Sequence, residues 1–270
     1  ASGDLVADSA NNYYEGLTQA EVEAFYAQAN DPSDATPISY GLNSKLIKKN
    51  GQIQERIWKV GGMYSQAIEQ VVGWLEKAVT VAENDKQKKA LELLIAFYRT
   101  GQLRVFDNYS IAWVQDVDSD VDVINGFIEV YGDAMGYRGA FESVVSIRDP
   151  IATKRIATIG DNAQWFEDRS PIHSEHKKKE VTGISAKVIS VVMESGDSSP
   201  STPIGINLPN ANWIRATKGS KSVSLGNIVR AHNEASKTSG LLEEFAFTQE
   251  EVALSRKWAS LALDLEVDMH

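Results

Sequence analysis

The sequence predicts an α+β fold in which helices carry most of the ordered residues. Several long stretches place apolar residues at the spacing of one helix face. Shorter stretches are rich in β-branched residues or alternate apolar with small or polar ones, which indicates strands. Helices are expected at 64–79, 86–99, 103–114, 151–162 and 226–237, and strands at 45–47, 53–58, 124–131, 181–193 and 204–210.

Local turn and capping residues support these assignments. Asn50-Gly51 separates the first two strands and is typical of a tight hairpin turn. Gly101 interrupts the helical pattern, so the second long helix is expected to end there. Residues 1–12 are small and polar and are expected to be frayed. Two pairs have capping-box spacing and predict the start of a helix, namely Thr18 with Glu21 and Thr248 with Glu251.

The polar segment 164–180 contains two histidines, His173 and His176. Helices that bind zinc usually place two histidines four residues apart, whereas this spacing is three. The lysines at 177–179 would also repel a cation. We therefore expect a solvated loop rather than a metal site.

Composition excludes several classes of protein. The net charge of −10 argues against a nucleic-acid partner, because such proteins need a basic stripe to neutralise phosphates. The absence of cysteine excludes disulfides and thiolate metal sites, which fits the cytoplasm without excluding the periplasm. No apolar run approaches the ~20 residues that span a membrane, so no membrane partner is expected. The first residues also lack the pattern of a signal peptide.

The central stretch of the chain is residues 126–142, GFIEVYGDAMGYRGAFE. Strand alternation puts Ile128 and Val130 on one face and Glu129 and Tyr131 on the other. If the aliphatic face is buried, a carboxylate and a phenol lie together on the face that meets solvent or a ligand. The glycines that follow predict a tight loop, a common way to line a cleft. An edge strand with a solvated outer face accounts for the same pattern.

A second short strand, 204–210, exposes polar groups in a similar way. Gly205 and Asn207 share the face opposite the aliphatic residues, and Asn210 turns back towards that face after Pro209. Such a strand is suited to receive an extended peptide by strand addition. An ordinary edge strand with an asparagine turn is the alternative. Three tryptophans are interpreted as core residues, namely Trp58, Trp74 and Trp113.

These stretches resemble the dipeptidyl peptidase III family of zinc metallopeptidases. The similarity extends from Trp113 to His270, and the matching segments follow one another in the family's order. The segments that carry the resemblance are Trp113-Val114-Gln115-Asp116, 126–142, 205–210 (GINLPN), 224–227 (SLGN) and 264–270 (DLEVDMH).

The resemblance implies an enzyme that removes dipeptides from the amino terminus of short peptides. It also implies two lobes across a wide cleft, one helical and zinc-bearing, the other built on a small β-core. On this basis we expect the chain to be an internal segment of a longer enzyme. Residues 1–149 are assigned to the β-core lobe, 150–190 to an excursion into the helical lobe, 191–236 to a return, and 237–270 to the helical lobe again.

The resemblance also assigns roles to individual residues. Glu129, Tyr131, Asn207 and Asn210 match positions that hold the free amino terminus and first residues of the substrate. The backbone of residues 204–207, which includes Gly205, would pair with the peptide, and Trp113 would line the cleft. Ala140 departs from an acidic residue found in some relatives, whereas Glu142 is kept.

His270 matches the first zinc ligand of the family. The other Zn²⁺ ligands and the catalytic glutamate lie beyond this residue in the family, so the resemblance predicts that this chain alone is inactive and that no catalytic residue lies within it. Two alternatives stay open. One is a peptide- or ligand-binding module without enzymatic activity. The other is a hydrolase that uses Glu129 and Glu142 as a carboxylate pair. The sequence does not indicate the oligomeric state of the protein.

Overall fold

The computed structural model describes residues 2–181, 184–199, 202–236 and 240–269. The chain forms two compact units. Unit 1 comprises Ala1–Ser119, Ile124–Ser143 and Pro209–Lys218, and unit 2 comprises Asp120–Val123, Val144–Leu208 and Gly219–His270. The α+β class is confirmed, whereas the assignment of the four segments given above to two lobes stays a prediction.

Helices contribute most of the ordered residues, as the apolar spacing predicts. In chain order the elements are α1 (Leu5–Asp8), β1 (Tyr14–Glu15), α2 (Gln19–Ala27), β2 (Ser44–Lys49), β3 (Gln52–Ile57), α3 (Ser65–Val79), α4 (Asp85–Thr100), α5 (Leu103–Gln115), β4 (Val121–Phe127), β5 (Phe141–Arg148), α6 (Pro150–Gly160), α7 (Ala163–Arg169), β6 (Ile184–Gly196), β7 (Gly205–Leu208), α8 (Asn212–Lys218), β8 (Ser220–Leu225), α9 (Gly226–Ser236), α10 (Leu241–Phe245) and α11 (Gln249–Met269), with a short 3₁₀ turn at Ser174–His176.

Unit 1 contains a small sheet with the order β1-β2-β3. Strand β1 runs parallel to β2, and β2 runs antiparallel to β3. The turn between β2 and β3 has positive φ at both central residues, 53° at Asn50 and 77° at Gly51. Asparagine and glycine tolerate these angles best, so the hairpin predicted from this pair is confirmed.

Helices α3, α4 and α5 follow this sheet in unit 1. The predicted end of α4 is confirmed, because Gly101 adopts φ 71° and its amide donates to the carbonyl of Phe97. Asn84 caps the start of α4 by accepting from the amides of Lys86 and Gln87. Both capping boxes are also present, before α2 and before α11.

Three local predictions are wrong in whole or in part. Residues 1–12 contain helix α1, because Asp4 caps it by accepting from two backbone amides. The segment 164–180 begins within α7, which ends at Arg169, so the predicted solvated loop is wrong there but holds for the exposed stretch that contains His173 and His176. Trp74 is 67% exposed, since its position on α3 lies off the buried stripe of Ile68, Val72 and Leu75.

Unit 2 contains most of a second sheet, whose order in the described part of the chain is β4-β5-β6-β8-β7. Strand β8 runs parallel to β6 and antiparallel to β7, which places β7 at an edge. Buried Ile189, Val223 and Leu225 form its apolar core. Among the described residues, no helix combines the length and the apolar character that crossing a bilayer requires.

A buried carboxylate on α5 gives unit 1 a pH-dependent stability. Asp107 is 5% exposed, and burial raises its pKa from 3.8 to about 6. The guanidinium of Arg104, whose Nη1 donates to Asp107 at 3.1 Å, opposes this shift, and the charge of Asp34 adds to it. The folded state therefore binds a proton more tightly than the unfolded chain does between pH 3.8 and about 6.

Replacing Asp107 with asparagine should remove this dependence. A raised carboxyl pKa means that wild-type stability falls as pH rises through this window and stays lower above it. The rise of the Asp107 pKa from 3.8 to about 6 corresponds to about 3 kcal/mol. At each pH the free energy of unfolding of wild type is subtracted from that of Asp107→Asn. This difference should increase by about 3 kcal/mol between about pH 4 and about pH 7. Urea denaturation across this range measures the difference, and a constant difference would contradict the assignment.

Candidate functional site

The first group of predicted site residues follows the end of strand β4 in unit 1. The strand ends at Phe127, earlier than the sequence predicts, but two further hydrogen bonds continue the pairing. The Ile128 amide donates to the Ala140 carbonyl at 2.9 Å, and the Ala140 amide donates to the Glu129 carbonyl at 2.8 Å. Ile128 is buried and Tyr131 is 86% exposed, as expected for the two faces, but Glu129 and Val130 are both half-buried, so the predicted alternation is confirmed only in part.

The structure brings Asn210 to Glu129, although 81 residues separate them. The Asn210 Nδ2 donates to Glu129 Oε1 at 3.1 Å. Both residues belong to unit 1, because Pro209–Lys218 returns to it. A carboxylate held by an amide donor keeps its acceptor oxygens in a fixed orientation, which suits recognition of a cationic group.

Tyr131 shares this negative surface. The charge of Glu129 raises the pKa of Tyr131, and slight desolvation, a hydrogen bond with Glu129 and the charge of Glu142 act in the same direction. The phenol therefore stays protonated near neutral pH and can donate or accept a hydrogen bond. Two carboxylates and a phenol together form a surface that favours a positive group.

A buried arginine anchors the loop that follows Tyr131. Arg138 is 1% exposed, and its guanidinium donates to the Gly41 carbonyl at 3.0 Å and to the Tyr26 hydroxyl at 2.6 Å. The rings of Tyr14 and Tyr26 lie 4.8 Å and 5.2 Å from the guanidinium carbon. The next residue, Gly139, packs so closely that an added Cβ would lie 2.6 Å from the Phe127 carbonyl carbon. This packing fixes the loop against the sheet.

The second group of predicted site residues lies on β7 in unit 2. Gly205 and Asn207 are exposed, and Asn207 Oδ1 accepts a 3.3 Å hydrogen bond from the Ser222 hydroxyl. No strand in the described part of the chain pairs with the outer edge of β7. A Cβ at Gly205 would meet only Val223 O at 3.6 Å, an ordinary contact, so the sheet itself does not require glycine there.

Two predicted residues stand apart from these groups. Trp113 is 5% exposed on α5, which agrees with a core position, while its contact with a peptide stays a prediction. His270 lies outside the described residues. The described ranges contain no group of three side chains of the types that bind metal ions, and His173 and His176 meet only as edge-on rings 6.5 Å apart.

Sequence reasoning did not single out three buried charged residues, of which Asp133 and Arg138 hold the loop after Tyr131 and Asp116 lies at the end of α5. Asp116 is 2% exposed and accepts hydrogen bonds from the Ser119 hydroxyl at 2.7 Å and from Asn84 Nδ2 at 3.4 Å. Its place at the end of the Trp113–Asp116 segment was the available signal. Asp133 and Arg138 carried no separate signal, because their partners lie in distant parts of the chain.

Comparison with known proteins finds relatives that are similar to this chain in sequence and in fold. Dipeptidyl peptidase 3 of Mus musculus is 28% identical over 258 residues, which are 95% of this chain and 33% of the mouse protein. The chain thus spans about a third of the mouse protein's length.

Two solved structures have the same fold. The dipeptidyl-peptidase III of Corallococcus sp. strain EGB has a TM-score of 0.68 at 25% identity, covering 82% of this chain and 40% of its own. The DPP III of Caldithrix abyssi has a TM-score of 0.72 at 24% identity, covering 88% and 44%. Residues 35–270 also match the sequence pattern of Peptidase family M49. The chain therefore belongs to peptidase family M49.

Proposed function

We propose that the native protein is a zinc-dependent dipeptidyl peptidase and that this chain supplies part of its peptide-binding surface. In this function Glu129, Tyr131 and Asn210 receive the free amino terminus of a short peptide. The observation that supports it best is the Asn210–Glu129 hydrogen bond at 3.1 Å, because it joins residues that the resemblance assigned independently to one role.

The chemistry of this group suits an ammonium ligand. The Glu129 carboxylate pairs with the charged amino group, and charge-assisted hydrogen bonds of this kind are the strong ones. The Tyr131 phenol and the Asn210 amide can bond the first carbonyl and amide of the peptide. An acetylated amino terminus loses the positive charge and should bind weakly.

The edge strand β7 is proposed to bind the peptide backbone. Its outer edge is unpaired within the described residues, and Gly205 leaves room for a second backbone to approach. An added peptide strand would form backbone hydrogen bonds there, which makes recognition tolerant of side-chain identity. The Asn207 amide would add a polar contact.

Zinc is part of this proposal because the resemblance assigns His270 as a zinc ligand. His270 lies outside the described residues. A bound zinc ion would polarise the scissile carbonyl and lower the pKa of a bound water to about 7. Retention of the amino terminus by Glu129 would set which peptide bond is presented.

Product analysis of the native protein tests this function. A short peptide with a free amino terminus and its N-acetylated counterpart are incubated separately, and the products are identified by mass spectrometry. We expect dipeptides from the free peptide alone, loss of release with a chelator, and recovery with zinc. Release of single amino acids, or equal cleavage of the acetylated peptide, would exclude the proposal. Binding without cleavage would favour the non-enzymatic module.

A further inference from the structure

The turn that follows Tyr131 is organised around one buried carboxylate, Asp133. This residue is 6% exposed, and its Oδ2 accepts from the amides of Tyr137 at 2.9 Å and Arg138 at 2.8 Å. Its Oδ1 accepts from the amide of Met135 at 3.0 Å. One side chain therefore fixes the backbone of the turn at several points.

A fourth donor comes from a distant part of unit 1. The Tyr14 hydroxyl donates to Asp133 Oδ2 at 2.5 Å across 119 residues of sequence. Burial raises the pKa of Tyr14 well above its ordinary value, although the Arg138 charge opposes this, so the phenol remains a donor. Asn11 Nδ2 also donates to the Gly132 carbonyl, next to Asp133. The N-terminal segment thus holds the turn from one side.

The backbone of the same turn leads directly to the proposed amino-terminus site. The Asp133 amide donates to the Val130 carbonyl at 3.0 Å, which closes the turn containing Tyr131. Val130 is the residue between Glu129 and Tyr131. A movement of Asp133 would therefore shift both of these side chains.

We propose that Asp133 is a positioning residue for peptide recognition, holding the turn that presents Glu129 and Tyr131 to a free amino terminus. This inference rests on the proposed function for its ligand, but its structural part stands on the contacts of Asp133 alone. A carboxylate is required because its acceptor oxygens take all the donors, whereas an asparagine amide would turn an NH₂ group towards donor atoms.

The test compares Asp133→Asn with wild type in the native protein. The readout is the ratio of dissociation constants for a short peptide with a free or an acetylated amino terminus. Misplacing Glu129 would weaken its charge-assisted hydrogen bond with the ammonium group, so the preference for the free peptide should fall by about 10- to 100-fold. Near-UV circular dichroism confirms that each variant is folded.

Asp107→Asn is the matched control. Asp107 is 5% exposed against 6% for Asp133, and it is also a hydrogen-bonded carboxylate of unit 1. It should keep the wild-type preference, because it does not contact the turn. If Asp133→Asn does not fold, Tyr14→Phe removes a single donor and should lower the preference about fivefold. A folded Asp133→Asn or Tyr14→Phe protein with wild-type preference would overturn the inference.

A second readout does not depend on peptide binding. The pKa of Tyr131 is measured by NMR titration of ¹³C-labelled tyrosine, with Tyr131→Phe used for assignment. Displacing the turn should lower this pKa towards its ordinary value in Asp133→Asn but not in Asp107→Asn. If wild type shows no preference for the free peptide, the proposed function fails. An unchanged Tyr131 titration in Asp133→Asn would then overturn the positioning role as well.

Discussion

Replacing Glu129 with glutamine is expected to weaken binding of a peptide with a free amino terminus about 10- to 100-fold, because a hydrogen bond to a charged group contributes about 1.5–3 kcal/mol. Glutamine keeps the length of the side chain and an oxygen that can accept from Asn210 Nδ2. The change therefore removes the negative charge while leaving the local fold in place. Isothermal titration of the native protein measures the loss.

Two comparisons make this result specific. The acetylated peptide should bind wild type and Glu129→Gln equally, since it carries no ammonium group. Glu92→Gln changes an exposed glutamate on α4 and should leave both affinities unaltered. Equal binding of the free peptide by wild type and Glu129→Gln would remove Glu129 from the recognition site. A loss shared by both peptides would instead point to a structural role.

Replacing Gly41 with alanine is expected to lower the free energy of unfolding by about 2–5 kcal/mol. Gly41 has φ +84°, and a Cβ there would lie 2.0 Å from Arg138 Nη1 and 2.9 Å from Tyr26 Oη. Overpacking costs about 1–3 kcal/mol, and a left-handed backbone costs a residue with a side chain about 1–2 kcal/mol more. Urea denaturation measures the change.

Gly51→Ala separates these two costs. Gly51 has φ +77° in the β2–β3 turn, and an added Cβ would meet nothing within 4 Å. This variant should lose only the conformational part, about 1 kcal/mol. If Gly41→Ala is no less stable than Gly51→Ala, the guanidinium of Arg138 does not occupy the position that the structure gives it.

The parts of the fold that depend on neighbouring residues could be predicted from the sequence. The Asn50-Gly51 turn, the Gly101 helix end and the two capping boxes each depend on backbone angles or on a partner within three or four residues. Such features are set by chemistry that is visible in a short window.

Strand β8 could not be found in the same way. Its sequence, SKSVSL, places Lys221 at a buried position where a periodic pattern expects an apolar side chain. The Lys221 ammonium is tolerated there because Asp122 pairs with it at 2.9 Å across 99 residues of sequence. A buried charge with a distant partner cannot be inferred from local composition.

The candidate site likewise contains some residues that the sequence identifies and others that it does not. Glu129 and Tyr131 could be identified because a polar pair interrupts an aliphatic run, and Asn210 because it follows a short strand. Their grouping required a chain return that brings Pro209–Lys218 into unit 1. The support beneath them, Asp133 and Arg138, depends on Tyr14, Tyr26 and Gly41, which no window around the site contains.

These distant contacts also bear on the order in which the protein folds. The hydrogen bonds of Tyr14 with Asp133, Tyr26 with Arg138 and Gly41 with Arg138 close chain loops of 119, 112 and 97 residues. Contacts of such high sequence separation form slowly, whereas the helix pair α4–α5 depends on local contacts. In stopped-flow refolding, helical ellipticity should therefore recover before peptide binding does. A nascent chain would gain its helices first and its ability to recognise a ligand last.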